Sequence, residues 1–253
     1  MMAITTAMIL AAGKGERMRP LTEKTPKPLL LANNKPLIVH HIERLVAAGI
    51  KHIVINLFWL GEQIPEALGD GSQFGVSIRY VHESPLLETA GGIANALPLL
   101  KETCDEAFWV VNGDVWTDID FAALSEQAPS ILQADDQAAL VMVDNPEHHP
   151  EGDFLFQNTR LVHTKKNHAL PRLTYSGIGL YRLSMFDDLP IVPTPLGPIL
   201  RQLIKVGRLA AWHHQGVWSD IGTPERLMQL NTQLKDEGNR KNGPQSEPDE
   251  AGA

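Results

Sequence analysis

The sequence predicts an α/β protein in which a central, mostly parallel mixed sheet has helices on both faces. Two observations lead to this prediction. Apolar strand-like segments alternate with segments of helical periodicity up to residue 111, and this alternation is typical of parallel sheets covered on both sides. After residue 143 the alternation gives way to short strand-like segments, which indicate antiparallel strands added to the first set.

The strand-like segments of the first half are short, apolar and bounded by turn residues; they cover residues 7–10, 52–56, 76–81 and 108–111. Helix-like segments lie between them, at 37–46, 61–68 and 89–97. The first of these ends just before Gly49, and glycine is common after a helix end. In parallel sheets, ligands bind beyond the C-terminal ends of the strands, so we expect the functional site there.

The second half adds a helix-like segment at 199–206 and a series of strand-like ones at 138–143, 154–156, 161–163, 174–181, 209–213 and 217–220. Thr223 and Pro224 are suited to begin a terminal helix as its N-cap and first residue. We expect a single domain over residues 1–235. Residues 236–253 have almost no apolar side chains, which predicts a disordered tail.

The composition is that of a globular protein, with 43% hydrophobic and 21% charged residues among 253. A formal net charge of −8 argues against a nucleic-acid-binding surface. The single cysteine, Cys104, cannot form an internal disulfide, which fits a reducing compartment. The N-terminus lacks the charged segment of a signal peptide, and no apolar run reaches membrane-spanning length. We therefore expect a cytoplasmic protein without a membrane partner.

The most informative segment follows the first strand and reads L-A-A-G-K-G-E-R-M-R-P-L-T-E-K-T-P-K-P-L-L over residues 10–30. A glycine-bearing turn that leaves a strand presents backbone N–H groups to phosphate oxygens. Arg17, Arg19 and Lys27 add positive charge in an otherwise acidic chain. The segment predicts a nucleotide-phosphate site. It is neither a Walker P-loop nor a Rossmann fingerprint, because it lacks G-x-x-x-x-G-K-[ST] and has Met18 in place of the third glycine.

This segment resembles the signature of the sugar-1-phosphate nucleotidyltransferases, L-A-A-G-x-G-x-R-M/L-x-P-L-T followed by P-K-P. The resemblance covers roughly the first 230 residues and implies a Rossmann-like, GT-A-resembling fold. It implies that Arg17 holds the β- and γ-phosphates of a nucleoside triphosphate and that Lys27 holds the α-phosphate. It also assigns nucleotide binding to the loop residues Leu10, Ala11, Ala12, Gly13 and Gly15. On the residues alone, both cations could instead be solvated surface groups.

Two aspartates are candidate ligands for Mg²⁺, which prefers oxygen ligands and usually binds one or two carboxylates together with substrate phosphates. Asp114 follows a predicted strand in the turn Asn112-Gly113-Asp114, and Asp220 lies in a W-S-D-I-G-T-P segment. Both segments resemble metal-binding motifs of the same family. Asp118 and Asp120 are nearby rivals that we interpret as loop or cap residues.

The segment E-S-P-L-L-E-T-A-G-G over residues 83–92 resembles the nucleotide-selecting loop of the family. The resemblance assigns nucleotide contacts to Glu83, Ala90 and Gly91, with Gly91 and Gly92 leaving room for base and ribose. Many relatives have glycine where this chain has Glu88. The L-E-T-A-G-G version resembles uridylyltransferases that act on N-acetylmuramic acid 1-phosphate in cell-wall recycling, which implies transfer of UMP from UTP with release of pyrophosphate.

Other readings stay open: glucose 1-phosphate with UTP or dTTP, mannose 1-phosphate with GTP, or a non-catalytic sugar-nucleotide sensor. For the sugar phosphate, the resemblance implies contacts from Asn112, Gly177 and a lysine, either Lys165 or Lys166, although the glutamate that usually precedes that lysine is absent. Three adjacent histidine pairs are interpreted as surface or core residues, because neighbouring side chains point apart and rarely chelate one ion. We expect a monomer or a simple homodimer.

Overall fold

The computed structural model describes residues 4–104, 106–163 and 170–241. The strands are β1 (Thr6–Leu10), β2 (Leu31–Ala32), β3 (Lys35–Pro36), β4 (His52–Leu57), β5 (Ser77–His82), β6 (Ala107–Asn112), β7 (Val115–Thr117), β8 (Ala138–Val143), β9 (Phe154–Gln157), β10 (Arg160–Val162), β11 (Arg172–Arg182), β12 (Leu209–His214) and β13 (Trp218–Asp220). The helices are α1 (Leu37–Ala47), α2 (Gln63–Leu68), α3 (Glu88–Lys101), α4 (Phe121–Ile131), α5 (Leu196–Lys205) and α6 (Pro224–Lys241).

Nine of the described strands form one mixed sheet in the order β5-β4-β1-β6-β11-β8-β12-β10-β9. The pairs β4–β5, β1–β4, β1–β6 and β8–β12 are parallel, whereas β11 is antiparallel to both of its neighbours β6 and β8. Following these pairings across the sheet, seven of the nine strands point one way, and only β10 and β11 point the other. The mostly parallel mixed sheet predicted from the alternation is confirmed.

Two hydrophobic clusters cover the two faces of this sheet. Successive residues of a strand point to opposite faces, so Ala7 and Ile9 join one cluster while Met8 joins the other. The first cluster includes residues of α1, α2 and α4, and the second includes residues of α3 and α5. The predicted arrangement with helices on both faces is therefore also confirmed.

The observed elements differ from the prediction mainly in their ends. Helix α3 continues to Lys101, past the predicted end at 97 and through Pro98. Helix α4 was not predicted; its N-cap is Asp120, whose Oδ1 accepts a hydrogen bond from the backbone N–H of Ala123 at 3.0 Å. The terminal helix α6 continues to Lys241, beyond the boundary predicted at residue 235, and residues 242–253 of the predicted tail lie outside the described residues. No described helix combines the length and apolarity needed to cross a membrane.

A two-stranded sheet of β7 and β13 joins two distant parts of the chain just after the C-terminal end of β6. Its antiparallel register places Asp220 opposite Val115. The backbone N–H of Ile221 donates to the carbonyl oxygen of Asp114 at 2.9 Å. The two motifs that carry the predicted metal ligands are thus held together by backbone hydrogen bonds.

Helix α1 supports this small sheet through a buried histidine. The Nε2 atom of His41 lies 2.7 Å from the carbonyl oxygen of Val115, so in the neutral imidazole Nε2–H is the donor. The Nδ1 atom is buried and has no hydrogen-bond partner among the described residues. Burial lowers the pKa of His41 from its ordinary value to about 4, because a charged imidazolium loses its hydration there.

We predict that His41 makes folding stability depend on pH. The unfolded chain binds a proton at His41 near pH 6.5, but the folded protein does so only near pH 4. The free energy of unfolding should therefore be highest above pH 6.5 and fall by roughly 3 kcal/mol from this residue as the pH drops to 4. Urea unfolding at several pH values measures this slope.

The matched variants are His41→Gln, which removes the titration, and His82→Gln, which changes an exposed histidine. We expect the first to lose stability at neutral pH yet show a shallower slope between pH 4 and 6.5. The second should keep the wild-type slope. An unchanged slope in His41→Gln would contradict the assignment.

Candidate active site

Within the described part of the chain, three cavities open near the C-terminal ends of β1, β4 and β6. The central cavity, of about 230 Å³, is lined by residues that include Ala11, Gly13, Lys27, Asn56, Glu83, Glu88 and Asn112. The β11 cavity, of about 370 Å³, is lined by Asn112, His148, Tyr175, Gly177, Trp218 and Asp220 among others. The loop cavity, of about 480 Å³, is lined by residues that include Gly13, Gly15, Arg17, Lys27 and Gly222. Asp114 lines all three and therefore lies at their junction.

The glycine-bearing loop after β1 is held in place by its own hydrogen bonds and by its neighbours. The backbone N–H of Ala11 donates to Asn56 Oδ1 at 2.8 Å. Gly15 has a φ of 61°, and a Cβ there would lie 2.9 Å from the Thr22 side chain, whose hydroxyl donates to the Gly15 carbonyl oxygen. In contrast, a Cβ at Gly13 would meet nothing within 4 Å. The loop is packed on one side and open at Gly13, as a phosphate-binding turn requires.

Lys27 is a positioned cation inside the site. Its ammonium lies 2.6 Å from Asp114 Oδ2, and its side chain is only 9% exposed, whereas the Asp114 side chain is 43% exposed. The alternative that Lys27 is a solvated surface residue is therefore wrong. Arg17 is exposed on the rim of the loop cavity. A Cβ at Gly222 would lie 3.4 Å from Arg17 Nη2, which places this guanidinium beside the segment that carries Asp220.

The structure brings the two predicted metal ligands, Asp114 and Asp220, to the same cavity. Asp220 Oδ1 lies 3.1 Å from His148 Nε2, and Asp220 Oδ2 accepts from the Arg226 guanidinium. No group of three acidic, histidine or cysteine side chains suitable for a metal occurs in the described part of the chain. Two carboxylates fit a hard divalent cation that takes its remaining ligands from phosphate and water.

Glu83 anchors the predicted nucleotide-selecting loop to the sheet. It is buried, and its two carboxylate oxygens accept hydrogen bonds from Asn56 Nδ2 and from the backbone N–H of Leu87, both at 2.7 Å. Because Asn56 also accepts from Ala11, one chain of hydrogen bonds joins the glycine-bearing loop to this second loop.

Ala90 and Gly91 do not line the central cavity. Their backbone N–H groups donate to the carbonyl oxygen of Thr194, at 3.0 and 3.2 Å. A Cβ at Gly91 would lie 2.2 Å from the Val192 carbonyl oxygen, and one at Gly92 would lie 2.5 Å from Glu83 Oε1. The expectation that these glycines leave room for base and ribose is wrong, because protein atoms fill that space.

On the other side of Asp114, Asn112 and Gly177 lie against one another. Gly177 has a φ of 79°, and a Cβ there would lie 2.5 Å from Asn112 Nδ2, so only glycine fits. The indole N–H of Trp218 donates to the Ser176 carbonyl oxygen at 2.9 Å and fixes the same strand. Lys165 and Lys166, the candidates for the sugar phosphate, lie outside the described residues.

Sequence reasoning missed three residues of the site. Asn56 ends a parallel strand next to β1, and the rule that ligands bind at strand ends could have found it. His148 was interpreted as a surface or core residue, but it contacts Asp220 and lines the β11 cavity; its neighbour His149 contacts Asp153 instead. Arg226 approaches Asp220 from the first turn of α6, a contact that arises from the packing of α6 against β13.

Residues 6–237 match the family described as nucleotidyl transferase, and the chain belongs to this family. A Neisseria meningitidis protein named N-acetylmuramate alpha-1-phosphate uridylyltransferase is 51% identical over 223 residues, which is 87% of this chain and 94% of that protein. A Caulobacter vibrioides protein of the same name is 31% identical over 90% of this chain and 96% of its own length. A Drosophila melanogaster mannose-1-phosphate guanylyltransferase catalytic subunit beta is 30% identical, and the match spans 88% of this chain but 61% of that protein.

Solved structures share the fold. A crystal structure of a candidate glucose-1-phosphate thymidylyltransferase from Bacillus anthracis superposes with a TM-score of 0.79 at 23% identity, over 92% of this chain and 96% of that one. HddC from Yersinia pseudotuberculosis superposes with a TM-score of 0.72 at 21% identity, over 91% of this chain and 100% of that one. The Rossmann-like α/β architecture with a mixed sheet is common to all three.

We predict that Lys27→Ala lowers the turnover of nucleotidyl transfer by about 10²–10³-fold, because it removes a positioned cation from the phosphate site. The fold should survive, since the Asp114 carboxylate that loses its partner is 43% exposed and stays hydrated. Steady-state pyrophosphate release and a thermal unfolding curve measure the two effects.

Lys35→Ala is the control for this change, since Lys35 forms an exposed ion pair with Glu43 outside the site and should leave turnover unaltered. Near-normal turnover in the Lys27 variant would show that Lys27 has no catalytic role.

Proposed function

We propose that this chain transfers UMP from UTP to N-acetylmuramate α-1-phosphate, giving the UDP-sugar and pyrophosphate. The observation that carries the proposal is the position of Asp114 at the junction of three cavities, paired with Lys27 at 2.6 Å. A reaction that joins two phosphate-bearing substrates needs such a meeting point. The choice of substrate pair rests on the 51% identical Neisseria meningitidis relative, which is named for that activity.

The reaction requires no general base from the protein. A sugar 1-phosphate is mostly a dianion at neutral pH, because its second pKa is about 6, and its oxygen can attack the α-phosphorus of UTP directly. The protein has to align the two phosphates and stabilise the charge that develops on the transferred group and on pyrophosphate. Lys27 is placed to contact the α-phosphate, and Arg17, on the rim of the loop cavity, to contact the β- and γ-phosphates.

We further propose that Asp114 and Asp220 hold Mg²⁺, which would neutralise phosphate charge at the junction of the cavities. The carboxylates now face Lys27 and Arg226, so the same cations can turn to phosphate oxygens when the metal site is filled. In its division into a parallel nucleotide side and an antiparallel sugar side, the domain also resembles the GT-A fold.

The proposal is tested by a matrix of nucleoside triphosphates (ATP, CTP, GTP, UTP and dTTP) against sugar 1-phosphates, with pyrophosphate release as the signal. We expect the highest kcat/KM for UTP with N-acetylmuramate α-1-phosphate. Preference for glucose 1-phosphate, or for GTP with mannose 1-phosphate, would replace the substrate assignment. No pyrophosphate from any pair would indicate a non-catalytic sugar-nucleotide sensor.

Removal of metal provides a separate prediction. Treatment with EDTA should abolish pyrophosphate release, because chelation removes the divalent ion from the two carboxylates. Added Mg²⁺ should restore the activity. Asp220→Asn should raise the Mg²⁺ concentration needed for half-maximal activity by about 10-fold or more, because it removes one anionic ligand. Asp187→Asn, which changes an exposed partner of Lys101, is the control. Full activity in EDTA would exclude a metal role for both aspartates.

A further inference from the structure

Glu88 adopts a backbone conformation that costs energy at the edge of the central cavity. Its φ is 57°, in the left-handed region that favours glycine. The other described non-glycine residues with positive φ are three asparagines, which tolerate this region, and Leu60. Among these five residues, only Glu88 lines the central cavity. A strained residue that persists at a binding site is a reason to ask what its side chain does there.

No hydrogen bond or ion pair with the described residues accounts for the strained conformation of Glu88. Glu88 is exposed, and its carboxylate has no hydrogen-bond or ion-pair partner in the described part of the chain. Its nearest acidic neighbour in the loop, Glu83, behaves in the opposite way, because it is buried and both of its oxygens accept hydrogen bonds from the protein. The Glu88 carboxylate is therefore available to a ligand in the central cavity.

The three cavities show which part of a ligand Glu88 can meet. Gly13, Lys27, Leu86 and Asp114 are shared between the central and loop cavities, and Asn112 and Asp114 between the central and β11 cavities. Glu88 lines the central cavity but neither of the other two. The shared charged residues, Lys27 and Asp114, mark the phosphate end of the central cavity, and Glu88, which lines only this cavity, is placed towards its nucleoside end.

The chemistry of a nucleoside narrows the partner to the ribose. An ionised carboxylate only accepts hydrogen bonds, so its partner must be a donor. Uracil offers one N–H donor, whereas ribose offers two neighbouring hydroxyls that match the two oxygens of one carboxylate. The flat base fits the buried end of the cavity, where Asn56 and Glu83 are 3% and 5% exposed. The exposed Glu88 then faces the ribose.

We propose, on the basis of the uridylyl transfer proposed above, that the Glu88 carboxylate accepts hydrogen bonds from the 2′- and 3′-hydroxyls of the nucleotide ribose. Glu88 thereby selects ribonucleoside over 2′-deoxyribonucleoside triphosphates. This role gives a reason for a glutamate at a position where the backbone favours glycine. Selection by Glu88 would therefore discriminate UTP from dTTP through the sugar, in addition to any discrimination through the base.

The test compares UTP with 2′-deoxy-UTP and 3′-deoxy-UTP in the wild type and in Glu88→Gly, Glu88→Ala and Glu88→Gln. In the wild type, kcat/KM should favour UTP over each deoxy analogue. In Glu88→Gly this preference should fall by about 10-fold or more, as expected for the loss of a charged hydrogen bond. Glu88→Ala should lose the preference equally, and Glu88→Gln should retain part of it, because the amide oxygen still accepts.

Thermal unfolding separates this role from a structural one. Glycine relieves the left-handed strain, so the midpoint of Glu88→Gly should equal or exceed that of the wild type by up to about 4 °C. Asn158→Gly is the matched control, since Asn158 has the same φ of 57° but lies outside the central cavity. This variant should keep the wild-type preference for UTP.

Direct binding measurements test the role of Glu88 separately from catalysis. Calorimetric dissociation constants for UTP and 2′-deoxy-UTP give the same preference without turnover, so an inactive wild type would overturn the proposed reaction and leave the ribose test intact. A wild type that binds or uses both nucleotides equally would overturn the role of Glu88. So would a Glu88→Gly variant that loses activity with all three nucleotides by the same factor.

Discussion

The parallel register of β4, β1 and β6 is the constraint on which the whole site depends. Leu10, the last residue of β1, is paired with Asn56 on one side and with Asn112 on the other. The loops that follow these three strands therefore begin side by side at one edge of the sheet. Backbone contacts lock them together, because Gly113 N–H donates to the Leu10 carbonyl oxygen at 2.9 Å and Ala11 N–H donates to Asn56. A Cβ at Gly113 would lie 2.7 Å from that carbonyl oxygen, so the close approach requires glycine.

Two buried polar groups, Asn56 and Glu83, extend this constraint to the loop before α3. Burial of a carboxylate is costly unless hydrogen bonds replace its hydration, and Glu83 obtains them from Asn56 and from the Leu87 backbone. The loop before α3 is therefore tied to the strand ends rather than merely packed near them. A second contact, from Ala90 and Gly91 to Thr194, holds the start of α3 from outside. The segment at the start of α3 that carries Glu88 is therefore fixed at two points.

The sequence was sufficient for features that depend on local patterns and insufficient for those that depend on packing. The parallel half of the sheet, the strand end that carries Asp114 and the order of the loops follow from apolar periodicity and turn residues. The meeting of Asp114 with Asp220 could be stated only through family resemblance, because it arises from the pairing of β7 with β13. Gly91 shows the limit most clearly. Its role is to admit the Val192 carbonyl oxygen, a contact that no local pattern encodes.

The reversal of strand direction at β11 explains why Asp114 borders cavities with different walls. Strands β5, β4, β1 and β6 are parallel, so their loops crowd one side of Asp114 with backbone N–H groups and the cations of the glycine-bearing loop. Next to β6, β11 runs the other way and presents Gly177 against Asn112. Its residues 174–177 form one wall of the β11 cavity, and His148 and His149 of the loop after β8 form another. The two sides differ in chemistry because the sheet changes direction there, and Asp114 ends the turn after the last strand before that change.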